Sequence, residues 1–349
     1  MALYCHIADR PSDCRQIVAE HVRPLLLELC AADTLYTAQI TAMVAPALYC
    51  AHKLTAIEQA KTLPPALRDS AYSRICRFIL TKTTPSEPYE AVAGHEFTVT
   101  YEEIVDLCEL LDLMDSDGGI YGFIEGIANS VVSRRGSPLS EQQKLDIVRR
   151  LDTVISHKFP SHRNIQHAGY RIAATAQTAR IRRAGSQDWL SLIQAARAVP
   201  NLADRALVVG MVAAAMPSRE ANRRSAAFDE ARELIGHIPS TVDRVERYRE
   251  LASMAHGLNV PCARECLELA MRAAIGRDTQ VPRSIYRSIV DTAHMLDPRF
   301  AASLVSLLDS DPARVETRAN LTHSLQVLDL KKAGMKPVER TSETTPGVQ

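Results

Sequence analysis

An apolar residue, a proline, a short polar step and an arginine recur along the chain, and this pattern constrains the fold more than any other feature. It occurs in "TLPPALRDSA" at 62–71, in "AVPNLADRAL" at 198–207 and in "HIPSTVDRVE" at 237–246. Proline disfavours helical geometry at the residue before it but suits the first turn of a helix. Each apolar–proline pair is therefore predicted to separate two helices. The five pairs begin at Leu63, Phe159, Val199, Ile238 and Val281.

The spacing of these pairs indicates a repeat. From Pro160 to Pro200 is 40 residues, and from Pro200 to Pro239 is 39. An apolar residue and an alanine follow each proline at 12 and 13 places, as Ile172-Ala173, Val212-Ala213 and Leu251-Ala252. One helix pair leaves an apolar face open, so such pairs have to stack. The sequence predicts an all-α fold, an α-solenoid of stacked antiparallel helix pairs with a period of about 39–40 residues.

Local signals mark where several helices begin and end. At a helix start, a side-chain oxygen can accept a hydrogen bond from the free amide three residues later. The side chain of that later residue can accept one from the amide of the first. Three such pairs occur: Thr100 with Glu103, Ser140 with Gln143, and Ser240 with Asp243. Gly118, Gly119 and Gly185 follow helical stretches and are predicted to be left-handed helix ends.

Four segments differ in their pattern. Residues 1–82 read as a helical region with an early degenerate repeat, and 83–99 as an irregular acidic loop. Residues 100–330 carry the regular helical array. The polar end at 331–349 is predicted to be a disordered tail.

The phrase "AKTLPPALRDSAYSRI" at 60–75 and its copies resemble degenerate tetratricopeptide-type repeats, over roughly residues 50–330. The period here exceeds the roughly 34 residues of that family, and the tryptophan, leucine-glycine and tyrosine positions of its first helix are missing. HEAT-like helix pairs therefore remain an alternative. The resemblance implies a scaffold that binds a protein or peptide, frequently one arm of a larger sensor or assembly, and it carries over no catalytic residues.

The composition limits the partners and the cellular compartment that the sequence favours. Lysine plus arginine equals aspartate plus glutamate, 41 against 41, so the whole chain has no electrostatic reason to coat a nucleic acid or a membrane. The eight cysteines are scattered rather than arranged as a disulfide framework, which favours a reduced, cytoplasmic protein. No signal peptide or membrane span is apparent. The oligomeric state stays open.

Charge is strongly segregated between two neighbouring segments. Residues 83–130 hold eleven acidic residues and no lysine or arginine, whereas 131–185 hold eleven basic residues against three acidic ones. The basic segment could bind nucleic acid, which is the alternative to protein binding, or it could neutralise the acidic one. The candidate arginines are Arg134, Arg135, Arg149, Arg150, Arg180, Arg182 and Arg183.

Four other arginines are the candidates for a protein-binding concave face, because they lie in the predicted first helices of successive units. They are Arg171, Arg205, Arg244 and Arg287. Arginines at these positions could instead cap the ends of neighbouring helices, and the structural role is the stronger expectation.

No motif for catalysis is present, and the chain is predicted to be neither an enzyme nor a cofactor-binding protein. Glycine-rich phosphate loops, nucleophile elbows and paired-histidine zinc helices are all missing. His157, His162 and His167 are spaced by five residues, which does not place them on one helical face. Cys262 and Cys266 could poise a thiol or supply half a metal site, but buried apolar cysteines are the simpler reading, so no metal site is predicted.

Overall fold

The computed structural model describes residues 35–51, 53–81, 99–132, 139–160, 165–275, 281–310 and 315–332. These residues form fifteen α-helices, two short 3₁₀ turns and no β-strand, which confirms the all-α prediction. The predictions for residues 1–34, for 82–98 within the irregular loop and for the tail from 333 onwards lie outside the described residues.

The helices fall into two compact units, divided between Ala195 and Ala196. The first unit and its boundary contain α1 Leu35–Ala51, α2 Lys53–Lys61, α3 Pro65–Thr81, α4 Tyr101–Leu113, α5 Asp117–Val132, α6 Glu141–Lys158, α7 Ile165–Ile181 and α8 Ser186–Arg197. The second unit contains α9 Leu202–Ala215, α10 Ala221–Gly236, α11 Thr241–Ala255, α12 Val260–Ile275, α13 Arg283–Leu296, α14 Pro298–Ser306 and α15 Val315–Lys332.

All five apolar–proline pairs separate helices, as the sequence predicts. The apolar member of each pair is buried: Leu63, Phe159, Val199, Ile238 and Val281. Each turn between helices is therefore also anchored in the core, because the apolar side chain before the proline is buried there.

The three predicted helix starts are confirmed. The Thr100 Oγ1 accepts a 3.3 Å hydrogen bond from the Glu103 amide, and the Glu103 carboxylate accepts one from the Thr100 amide at 2.9 Å. Ser140 and Gln143 form the same reciprocal box. The Ser240 hydroxyl oxygen accepts from the Asp243 amide at 3.3 Å.

The predicted glycine helix ends are wrong. Gly118 and Gly119 lie in the first turn of α5, because α4 ends earlier, at Leu113. The chain leaves α4 through an extended, fully buried Met114, and the Asp115 amide donates to Asp69 of α3 at 2.9 Å. Side-chain burial and this tether end the helix without a left-handed residue.

The end of α7 is also displaced from its prediction. Arg183 takes the left-handed conformation with φ of 55°, and Gly185 does not. The Ala184 amide donates to the Ala179 carbonyl at 2.9 Å, the long hydrogen bond of a Schellman end. A positive φ costs a non-glycine residue about 1–2 kcal/mol, so Arg183 is a strained position held by its surroundings.

Within each unit, helices contact the next helix and the next but one. In the first unit α3 packs on α1, α4 and α5, and α7 packs on both α5 and α6. In the second unit α11 packs on α9, α10, α12 and α13, and α13 packs on α15. The chain thus builds each unit by serial addition of neighbouring helices.

Small residues occupy the close approaches between these helices. The predicted alanines Ala173, Ala213 and Ala252 are fully buried. At Gly210 of α9, an added Cβ atom would lie 2.8 Å from the Leu251 Cδ1 atom of α11. The backbones of α9 and α11 therefore approach closely at Gly210.

Candidate partner-binding surface

Two of the candidate arginines build the same structure at the start of α9 and of α11. Arg205 donates to the Val199 carbonyl at 2.8 Å, and Arg244 donates to the Ile238 carbonyl at 3.0 Å. In both places the residue after the proline, Asn201 or Ser240, accepts from the amide three residues later. This recurrent cap shows that Arg205 and Arg244 hold the preceding turn, which fits their structural role.

The helices α9, α11 and α13, here called the first-helix row, lie side by side in the second unit. A charged contact connects α9 and α11. Arg247 of α11 lies 3.8 Å from Asp204 of α9 and 2.7 Å from Glu250 of its own helix. The row therefore presents paired charges of both signs.

Arg287 is the most accessible of the four candidate arginines. Its side chain is 69% exposed and approaches Asp291 of the same helix at only 3.7 Å, a loose ion pair. By contrast, Arg171, Arg205 and Arg244 are half-buried. An exposed arginine with a weak intramolecular partner retains most of its donors for a ligand.

Asp291 is electrostatically unusual. Burial raises the pKa of its carboxyl group, while Arg287 and His294 act in the opposite direction. The Oδ1 atom is buried and has no hydrogen-bond partner among the described residues. An acceptor that lacks a donor makes this part of α13 polar and incompletely satisfied.

A second series of charged contacts links helices outside the first-helix row. Arg197 pairs with Glu230 of α10 at 2.7 Å, Arg232 of α10 pairs with Glu265 of α12, and Arg264 pairs with Asp297 before α14 at 2.7 Å. Each pair joins next-but-one elements. These arginines are engaged with the protein itself, in contrast to Arg287.

The basic segment is partly neutralised within the first unit. Arg150 pairs with Asp146 at 2.7 Å, and Arg180 of α7 donates to Asn129 of α5 at 2.6 Å. Arg149, Arg182 and Arg183 are exposed. Arg134 and Arg135 lie outside the described residues. The nucleic-acid hypothesis stays a prediction.

Glu125 of α5 faces Arg180. Burial raises the pKa of the Glu125 carboxyl group, and the positive charge of Arg180 partly opposes this shift. Burial in turn lowers the pKa of Arg180. The acidic helix α5 and the basic helix α7 thus meet at a half-buried pair of opposite charges.

The raised pKa of Glu125 predicts a pH dependence of stability. A carboxyl group whose pKa is higher in the folded state binds its proton more tightly there. Its contribution to the free energy of unfolding is therefore fully present below the unfolded pKa and is lost as pH rises through the folded pKa. The free energy of unfolding of wild type, relative to Glu125→Gln, should therefore fall as the pH rises above the unfolded pKa of about 4.3. Urea titrations at several pH values measure it.

Arg180→Met provides the directional control for this prediction. Removal of the opposing positive charge should steepen the loss of stability with pH, because the ionised Glu125 then lacks its partner. Parallel pH profiles for wild type and Glu125→Gln would contradict the assignment.

Of the three clustered histidines, only His157 has a described side chain. His157 Nδ1 lies 2.7 Å from the Asp112 carboxylate of α4. His162 and the side chain of His167 lie outside the described residues. Within the described ranges, no group of three or more histidine, cysteine, aspartate or glutamate residues could hold a metal ion.

Sequence reasoning missed two parts of this surface. The i, i+4 spacing of Arg287 and Asp291 was a signal that could have been used. Asp204 and Arg247 are 43 residues apart, and only the packing of α9 on α11 brings them together.

Comparison with protein-family models, with curated proteins and with solved structures finds no match to this chain. Of the helices described, none has both the length and the apolar character that a bilayer span requires.

Proposed function

We propose that this chain is a non-catalytic helical-repeat scaffold that binds a protein or a peptide across the first-helix row. The observation that supports the proposal is the recurrent cap at 199–205 and 238–244, with which α9 and α11 begin in the same way. Serial packing on the next-but-one helix then extends the row to α13. Equivalent helices side by side make an extended surface suited to an elongated ligand.

In this proposal the helix pairs stack as an α-solenoid of the tetratricopeptide or HEAT type, and the chain acts alone or as an adaptor arm of a larger assembly. A cytoplasmic setting fits four free, buried cysteines in the described residues. Arg287 is the principal contact, because it is exposed and loosely paired. Its partner should present carboxylates or carbonyl oxygens.

Charge reversal at Arg287 is expected to weaken partner capture about tenfold or more, because an attractive contact becomes a repulsive one. The measurement is affinity purification from native lysate with quantitative mass spectrometry, comparing wild type with Arg287→Glu. Nuclease treatment of half of each sample separates a protein partner from one held through nucleic acid.

Arg272→Glu is the matched control. Arg272 lies on α12, outside the first-helix row, with the same 69% exposure and a comparable i, i+4 acidic partner, Glu268 at 3.9 Å. A protein lost with Arg287→Glu and retained with Arg272→Glu supports the proposal. Equal loss in both variants, or recovery only of nuclease-sensitive material, contradicts it.

A further inference from the structure

Cys262 and Cys266 bring two sulfur atoms together on one face of α12. They lie on successive turns, and their Sγ atoms are 4.0 Å apart. Both side chains are buried, with exposures of 2% and 0%. From the sequence spacing alone, the two cysteines could be half a metal site or ordinary buried cysteines. The structure adds that their sulfur atoms lie close together.

The surroundings act on the two thiols in opposite directions: positive groups lie near the pair, but the hydrogen bond to Cys262 and burial raise the pKa of Cys266. Cys262 is the third residue of α12, at the positive end of the helix dipole. Arg232 of α10 acts on both sulfur atoms. The hydrogen bond from the Cys266 thiol lowers the pKa of Cys262 against the opposing effect of burial, and Asp229 and Glu265 raise it.

Two other buried cysteines provide a comparison. Burial raises the pKa of both Cys76 and Cys108, so each remains a protonated thiol. Tyr248 of α11 lies close enough to Cys266 for the two side chains to interact electrostatically. The pair on α12 is distinguished by the direct contact of its two sulfur atoms, at 4.0 Å, with Arg232 acting on both.

We propose that Cys262 and Cys266 bind a soft, monovalent metal ion, with Cu(I) as the representative. Two metal–sulfur bonds of about 2.3 Å across a 4.0 Å separation subtend an angle of about 120° at the metal. A two-coordinate Cu(I) ion prefers a nearly linear arrangement, so the two sulfur atoms have to move apart by about 0.6 Å, to about 4.6 Å, which a small rotation of the cysteine side chains supplies. Soft thiolate ligands select Cu(I), which does not need the four ligands of a closed zinc site.

The charge balance of this binding step is favourable. One Cu(I) ion and two neutral thiols give a bis-thiolate complex with a net charge of −1 and release two protons to solvent. Arg232 and the N-terminal end of α12 compensate that negative charge. No electron is transferred.

The test uses the full chain with serine at Cys5, Cys14, Cys30 and Cys50, whose side chains the structure does not describe. Anaerobic protein is loaded with Cu(I), challenged with a Cu(I) chelator, and analysed for retained copper and for thiols open to alkylation. The expected result is one retained copper ion per chain. Cys262→Ala and Cys266→Ala should each lower retention at least tenfold.

Two control variants complete the test. Cys76→Ala with Cys108→Ala should retain copper, because those residues are not ligands. Arg232→Met keeps both thiols but removes the positive charge, so it should weaken copper retention. Helical circular dichroism that matches wild type would show that this loss is not caused by unfolding. The inference is overturned if wild type retains no copper, or if folded Cys262→Ala and Cys266→Ala retain as much as wild type.

Discussion

Replacement of Phe228 with alanine is expected to lower the free energy of unfolding by about 3–5 kcal/mol. Phe228 is fully buried in α10, and no larger side chain of the second unit is buried as completely. Its removal loses the transfer free energy of the ring and leaves a cavity that neighbouring helices fill only in part. Because domains are stable by about 5–15 kcal/mol, this loss is a large fraction of the total.

Urea denaturation followed by helical circular dichroism measures this change. Met295→Ala is the matched control, because Met295 is 48% exposed on α13 and its truncation should change stability by no more than about 0.5 kcal/mol. Equal effects of the two substitutions would show that α10 is not packed as described.

A leucine at Gly210 is expected to lower the free energy of unfolding by about 1–3 kcal/mol or more. The Cβ atom alone would lie 2.8 Å from Leu251 Cδ1 and 3.3 Å from Met254 Sδ, so a larger side chain forces α9 and α11 apart. The effect should also disrupt the ion pair between Asp204 and Arg247, which depends on the same approach.

Two comparison variants separate helix contact from helix propensity. Gly210→Ala should be close to neutral, because the flexible end of Leu251 can move while alanine favours the helix by about 1 kcal/mol. Gly122→Leu on α5 should not destabilise, because nothing lies within 4 Å of a Cβ atom there. A neutral Gly210→Leu would contradict the close packing of α9 on α11.

Features determined by neighbouring residues were predictable from the sequence. Ser240 and Asp243 are three residues apart, and Val199 directly precedes Pro200, so their helix start and helix break follow from local geometry. The alanine positions were also predictable, because Ala213 and Ala252 recur at one offset from a proline.

Features determined by tertiary contact were not predictable. Gly118 lies inside α5 because Met114 is buried and Asp115 is tied to Asp69, neither of which a local pattern reveals. The left-handed Arg183 contradicts residue preference. Likewise, the sequence spacing of Cys262 and Cys266 suggests a shared face, but their 4.0 Å sulfur separation depends on side-chain conformation.

The proposed repeat unit makes the segments 199–205 and 238–244 interchangeable, and exchanging them is the most direct test. Replacing "VPNLADR" at 199–205 with "IPSTVDR" preserves the proline, the aspartate and Arg205, and it exchanges one capping residue, asparagine, for another, serine. The free energy of unfolding, measured by urea denaturation, should stay within about 1 kcal/mol of wild type. The double variant Asn201→Ala, Arg205→Ala, which removes the recurrent cap, should lose about 1–3 kcal/mol. An exchange as damaging as loss of the cap would contradict the repeat.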